Sequence, residues 1–421
     1  MAKRIYMDYA STTPLGPQVL KAMLPYFREK FGNPSSIHAE GVEAKKVLES
    51  ARKSVGLILN ARAAEIIFTG GGTESNNLAI FGAVSRFDLF PDSRSNLERP
   101  HIVTTSIEHS SVLEPIRELE RRGARVTYVP VELNGIVDPK KIAAALRPET
   151  VLVSVGYANN EIGTIQPIRE ISKIIRTHNF QTFKLSNFKT HFHSDASQAP
   201  LYLDCSVEKL GVDLLTLDGH KMYGPKGVGA LYVRRGVKLA PIFYGGGQER
   251  GLRSTTENLP LIVGFAKALE MAAVSREKES ARLTKLRDLC HSHILQNVGM
   301  TKVIINGDMK ERLPNNINIS IPKLDPAVDF GKTISEKSHT SRATKIHYGA
   351  STEFTLLQLD AAGIACSTKS SCLGSEGGSY VVRALGGSAA SAQSTLRFTL
   401  GRRTTKGDVD ALLKCLFRIV G

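Results

Sequence analysis

Residues 216–233 read TLDGHKMYGPKGVGALYV. The apolar run before it, VDLLTL (212–217), and the run that closes it, VGALYV (228–233), both read as strands. Between them the glycines and Pro225 demand a tight, irregular loop. Lys221 therefore sits at a strand end. Burial there lowers a lysine's pKa and frees its amine for Schiff-base chemistry, whereas a lone lysine in such a loop is otherwise a surface residue. A phosphate-binding P-loop is excluded, because Gly219 and Gly224 are followed by Pro225 and Lys226, not by Lys and Ser/Thr. The GKT at 331–333 fails too, with Pro326 where the first glycine belongs.

Upstream, strand-like and helical patterns alternate. HIVTTSI (101–107), RVTYVPV (125–131) and TVLVSVGYA (150–158) are strand-like. SSVLEPIRELERRG (110–123), DPKKIAAALR (138–147) and PIREISKIIRTHN (167–179) carry the helical period. The apolar strands lack a clean period of two, as expected of strands buried on both faces of a parallel sheet. From about residue 259 the texture changes to one long helical region (259–298), followed by short strands and helices of a smaller α/β unit. Residues 85–100, 182–191 and 325–349 look like loop insertions.

The net charge of +15 comes from Lys and Arg spread along the chain and mixed with acidic residues, so solvated faces are expected and direct nucleic-acid binding is not. No apolar window approaches a membrane span, and the first residues lack an apolar signal core. Five scattered cysteines make no disulfide framework, which points to a reducing, cytoplasmic compartment.

Other residues at strand ends are candidates for chemistry. In GGGTESNN (70–77), between strand-like EIIFT and helical LAIFGAV, Gly72 and Thr73 suit either an anion cradle or an ordinary helix cap. Asp195 and Gln198 end the strand-like FHSDASQ; such an aspartate pairs with a pyridinium nitrogen or caps a helix. His191 and His193 have no companion metal ligands, so no metal is expected. His109, Asn160 and Arg397 complete the set, Arg397 suited to a substrate carboxylate or to an interdomain ion pair.

Taken together, the order of these motifs resembles the cysteine desulfurases of the NifS/IscS type, in the class V branch of the PLP-dependent aminotransferases. The resemblance covers nearly the whole chain, from MDYASTTP (7–14) and FGNPSSIH (31–38) through GHKMYGPKG to GGGQERGLRSTT (245–256) and STLRFTLGR (394–402). It implies an aspartate aminotransferase-like α/β fold with a mostly parallel seven-stranded sheet. A large PLP-binding domain at 13–262 and a small domain from 1–12 and 263–421 are expected. It implies that Lys221 carries pyridoxal 5'-phosphate, His109 stacks on its ring, Asp195 pairs with its nitrogen, and Asn160 and Gln198 bond the ring oxygen region. Thr73, His220 and amides near Gly72 would hold the phosphate, with Thr256 reaching across a homodimer; Arg397 and Asn160 would bind the substrate, L-cysteine.

GIACSTKSSC (363–372) matches the family's nucleophile pattern with Cys372 at its end, leaving Cys366 as a structural thiol. The implied reaction takes sulfur from L-cysteine, leaves alanine and a Cys372 persulfide, and serves an iron–sulfur scaffold or a tRNA-thiolation protein. Selenocysteine lyase or aminotransferase activity is the rival within the superfamily. Two departures stand out: Asp218 replaces a phosphate-binding serine, and Gln248 replaces a common histidine.

Overall fold

The computed structural model describes residues 4–84, 99–182, 189–298, 303–322, 352–369 and 378–420. The described residues hold twelve strands: β1 (Ile5–Tyr6), β2 (Ile66–Thr69), β3 (His101–Thr105), β4 (Arg125–Val129), β5 (Thr150–Ser154) and β6 (His191–Asp195), then β7 (Leu214–Asp218), β8 (Gly229–Val233), β9 (Ile304–Ile305), β10 (Asn316–Ser320), β11 (Ile364–Ala365) and β12 (Thr395–Thr399). Seven of them form one sheet in the order β2-β8-β7-β6-β5-β3-β4. All pairings from β7 to β4 are parallel, and only β8 runs against its neighbours. The sheet is the mostly parallel, seven-stranded one that the family resemblance implies.

Burial explains why these segments became strands. β2, β3, β5, β7 and β8 are buried at every position, so each contributes side chains to cores on both faces. One face packs Phe68, Val103, Val153 and Leu215; the other packs Ile67, Ile102, Leu152 and Leu214. Parallel order also brings the carboxyl ends of β3, β5, β6 and β7 to one edge, where α/β sheets bind ligands. β2 ends at that edge as well, because it is antiparallel to β8 and β8 is antiparallel to β7.

A 40-residue helix, Leu259–Val298, leads to a separate three-stranded antiparallel sheet, β12-β10-β9. Its core gathers Met7, Leu283, Ile317, Phe398 and Leu412 from both ends of the sequence. The N-terminal segment is stitched in through β1, which pairs in parallel with β11, and through Thr399 N–H donating to Met7 O at 2.7 Å.

One local expectation is corrected. The glycine-rich GGGTESNN does not precede its helix: the helix starts at Gly72 and runs to Val84. Ser75 N–H already reaches Gly71 O at 3.0 Å, and Asn77 Nδ2 donates to Thr73 O one turn back. The polar side chains satisfy local backbone groups in helical geometry, so only Gly70 and Gly71 remain as the loop. The segments 85–98, 183–188 and 325–349, within the insertions read from sequence, lie outside the described residues.

Candidate active site

A cleft at the carboxyl edge of the large sheet encloses about 960 Å³ of empty space, its mouth included. Its lining includes Gly72, Thr73, His109, Asn160, Asp195, Gln198, His220, Lys221 and Arg397, nine of the residues singled out from the sequence.

Lys221 closes the short 3-10 turn Gly219–Lys221 that leaves β7. A Cβ on Gly219 would lie 2.9 Å from both Pro225 O and Val228 O, so the turn closes only around glycine. Two residues later Tyr223 adopts φ 64°, a left-handed conformation rare for a bulky side chain. Its N–H donates to Thr13 Oγ1 at 2.7 Å, and its hydroxyl accepts Arg402 N–H at 2.8 Å. The Lys221 ammonium donates to Ala10 O at 2.7 Å and Ser11 O at 2.8 Å, so the N-terminal loop holds the amine in place. These partners are backbone carbonyls within MDYASTTP, which leave no residue-type signal in the sequence.

Asp195, at the end of β6, accepts from Ser197 N–H at 2.9 Å and Ser197 Oγ at 2.6 Å on Oδ1, and from Asn76 Nδ2 at 2.8 Å on Oδ2. Oδ2 keeps a lone pair for a further donor. Asn76 Nδ2 also donates to Ser111 Oγ at 2.8 Å, and that hydroxyl meets His109 Nδ1 at 2.8 Å. Ser111 N–H donates to the same nitrogen at 3.2 Å. Nδ1 is thereby an acceptor, and the neutral ring carries its proton on Nε2.

Beside His109, the Glu108 carboxyl is buried, and burial pushes its pKa up to about 7 against the opposing pull of Thr105 Oγ1 and Gly156 N–H. Neither Glu108 nor Asn76 was singled out from sequence. Their roles depend on neighbours far along the chain.

Arg397 lies on β12 opposite Asn318 and is 1% exposed. It donates through Nη2 to Asp8 Oδ1 and Ser11 Oγ, both at 2.9 Å, and through Nη1 to Asn160 O at 3.0 Å. Its Nε–H has no acceptor among the described residues. Arg397 thus lines the cleft while its guanidinium pairs with Asp8, 389 residues away in the sequence. Gln198 Nε2 donates to Ala10 O at 3.0 Å, and His220 Nδ1 meets Thr12 Oγ1 at 3.1 Å.

Two of the expected residues are not in this group. Thr256 is exposed and lines a separate depression with Arg253 and Gly227. Its segment is fixed by Arg253, paired with Glu74 at 2.9 Å, and by Glu249, paired with buried Arg52 at 2.7 Å. Cys372 lies outside the described residues, and the described chain on either side of it is anchored. On one side Ser367 N–H donates to Arg397 O at 3.1 Å; on the other Ser379 Oγ donates to Glu161 Oε2 at 2.6 Å. Cys366 packs against the small-sheet core, and burial pushes its thiol up to about 12, which leaves almost no thiolate at neutral pH.

A family model described as aminotransferase class-V matches residues 5–412. The chain is 42% identical to the cysteine desulfurase IscS of Dictyoglomus turgidum over 421 residues, covering 100% of this chain and 95% of the relative. A solved NifS-like protein superposes with a TM-score of 0.83 at 34% identity, with 99% of each chain covered. The structure of SspA in complex with cysteine superposes at 0.74 with 32% identity, covering 94% of this chain and 99% of SspA. With the fold and the cleft, these likenesses establish that the chain belongs to the class V aminotransferases and, within them, to the cysteine desulfurases.

Proposed function

We propose that this chain uses PLP, held in the cleft at the carboxyl edge of the large sheet, to move the sulfur of L-cysteine onto Cys372. The observation that carries this reading is the convergence in one cleft of an amine (Lys221), a carboxylate with a spare lone pair (Asp195), an imidazole of fixed tautomer (His109) and a buried arginine (Arg397). That donor set fits PLP at its aldehyde, ring nitrogen and ring face; bound there, the group supplies an electron sink for charge developing on the substrate carbons.

The chain's own residues then divide the work. Lys221 Nζ anchors the cofactor and, once released, takes the α-proton of the substrate. Asp195 Oδ2 would accept from the ring nitrogen and keep it protonated. His109 would cover the ring, and Asn160 and Gln198 would bond its oxygen region. Thr73, His220 and the amides at Gly72 lie at the phosphate end. Arg397 orients the substrate carboxylate, which must share or replace the Asp8 contact on Nη2.

The Cys372 thiolate attacks the substrate sulfur. An S–S bond forms as the Cβ–S bond breaks, and the electron pair stays with the three-carbon skeleton. Protonation of that skeleton gives alanine, and Cys372 is left as a persulfide for an acceptor in iron–sulfur assembly or tRNA thiolation.

Exposed Thr256, fixed on its doubly anchored segment, suits a contact with the phosphate of a second copy in a homodimer. Residues 13–262 would form the cofactor-binding domain, and 1–12 with 263–421 the domain that carries Cys372. Incubation with L-cysteine and a reductant tests the reading: alanine and sulfide should appear in equal amounts, and absence of alanine contradicts it.

A further inference from the structure

The phosphate end of the cleft contains a carboxylate. Asp218, the last residue of β7, is 8% exposed. Its Oδ2 accepts the Gly72 N–H at 2.9 Å, and its Oδ1 accepts the His220 N–H at 3.2 Å. The contact is close: a Cβ on Gly72 would lie 2.9 Å from Asp218 Oδ2 and 2.9 Å from Ser197 Oγ. Gly72 opens the 13-residue helix Gly72–Val84, whose free amides and dipole favour an anion. That anion is already supplied from within the chain.

The basic side chains facing Asp218 are His220, with Nε2 3.4 Å from Oδ2, and Lys221. They are the same groups on which the cofactor's phosphate and aldehyde depend. A phosphate oxygen cannot take the Gly72 N–H while Asp218 Oδ2 holds it, and two anions in a half-buried cup repel.

We propose that Asp218 is an internal competitor of the cofactor's phosphate, so that in this chain the phosphate adds little to PLP affinity. Removing the carboxylate then tightens PLP binding selectively. The inference rests on the PLP reading above.

Cofactor-free full-length chain, prepared with hydroxylamine, is titrated with PLP and with pyridoxal, which lacks the phosphate. Binding is read from the visible absorption of the lysine adduct. In the parent chain the two ligands should bind within about tenfold of each other. Asp218→Asn and Asp218→Ser should both bind PLP about tenfold tighter or more, with pyridoxal changed less than about twofold. A parent chain that prefers PLP by several orders of magnitude overturns the inference. So do variants whose PLP affinity is unchanged or weaker, or rises equally for pyridoxal. No visible absorption with either ligand in any chain would overturn the PLP reading itself.

Discussion

Asn76 donates to Asp195 Oδ2 at 2.8 Å, and the same amide nitrogen lies 2.8 Å from Ser111 Oγ. One buried side chain thus ties the Asp195 carboxylate to the hydroxyl that fixes the His109 tautomer. Replacing Asn76 by Ala removes a bond to a charged group, typically about 1.5–3 kcal/mol. The expected outcome is a kcat lower by about tenfold or more, measured as alanine formation at saturating L-cysteine. An unchanged kcat would show that this relay is structural only.

Lys221 is held by two carbonyls of the N-terminal loop, at 2.7 and 2.8 Å. Lys221→Ala should lose the visible absorption of lysine-bound PLP and all alanine formation, while its far-ultraviolet circular dichroism stays that of the parent. Retention of that absorption would move the anchoring amine elsewhere.

The Glu249 carboxylate takes two bonds from Arg52 at 2.7 Å and one from Phe68 N–H at 2.8 Å, all buried. Glu249→Ala leaves the Phe68 amide without its acceptor and leaves buried Arg52 with only Ile66 O and the half-exposed Glu49 carboxylate, a loss of up to about 3–5 kcal/mol. The urea midpoint should fall accordingly, and exposure of the Thr256 segment to proteases should rise. An unchanged midpoint would contradict this assignment.

Burial raises the Glu108 carboxyl from 4.5 to about 7. The folded chain keeps a proton that the unfolded chain releases between those values. Stability from this group is therefore fully present below pH 4.5 and lost as pH rises through about 7. The difference corresponds to roughly 3 kcal/mol. Glu108→Gln cannot ionise. Its stability relative to the parent should rise by that order between about pH 5 and about pH 8, read from paired denaturation curves. A pH-independent difference would show that Glu108 ionises normally.

The parallel sheet was legible because strands buried on both faces leave continuous apolar runs, as in β3 and β5, and because glycines punctuate their ends. The chemistry at those ends was legible where a residue type is itself informative, as for Lys221, Asp195 and Arg397. The supports were not. Asn76 sits in GGGTESNN, yet its partners lie 35 and 119 residues away. The start of the helix at Gly72 was hidden for another reason. Gly, Thr, Ser and Asn are weak helix formers, and here their side chains bond the local backbone and the sheet edge. Asp218 was visible as a departure, but its bond to Gly72 spans 146 residues and required the fold.

The most direct measurement is peptide mapping after a single turnover with L-cysteine and no reductant. One additional sulfur atom on Cys372 is expected, with one alanine per chain, in the parent and in Cys366→Ser. Cys372→Ser should acquire none while keeping its PLP absorption. Sulfur found on Cys366, or alanine released in one full equivalent by Cys372→Ser, would contradict the account.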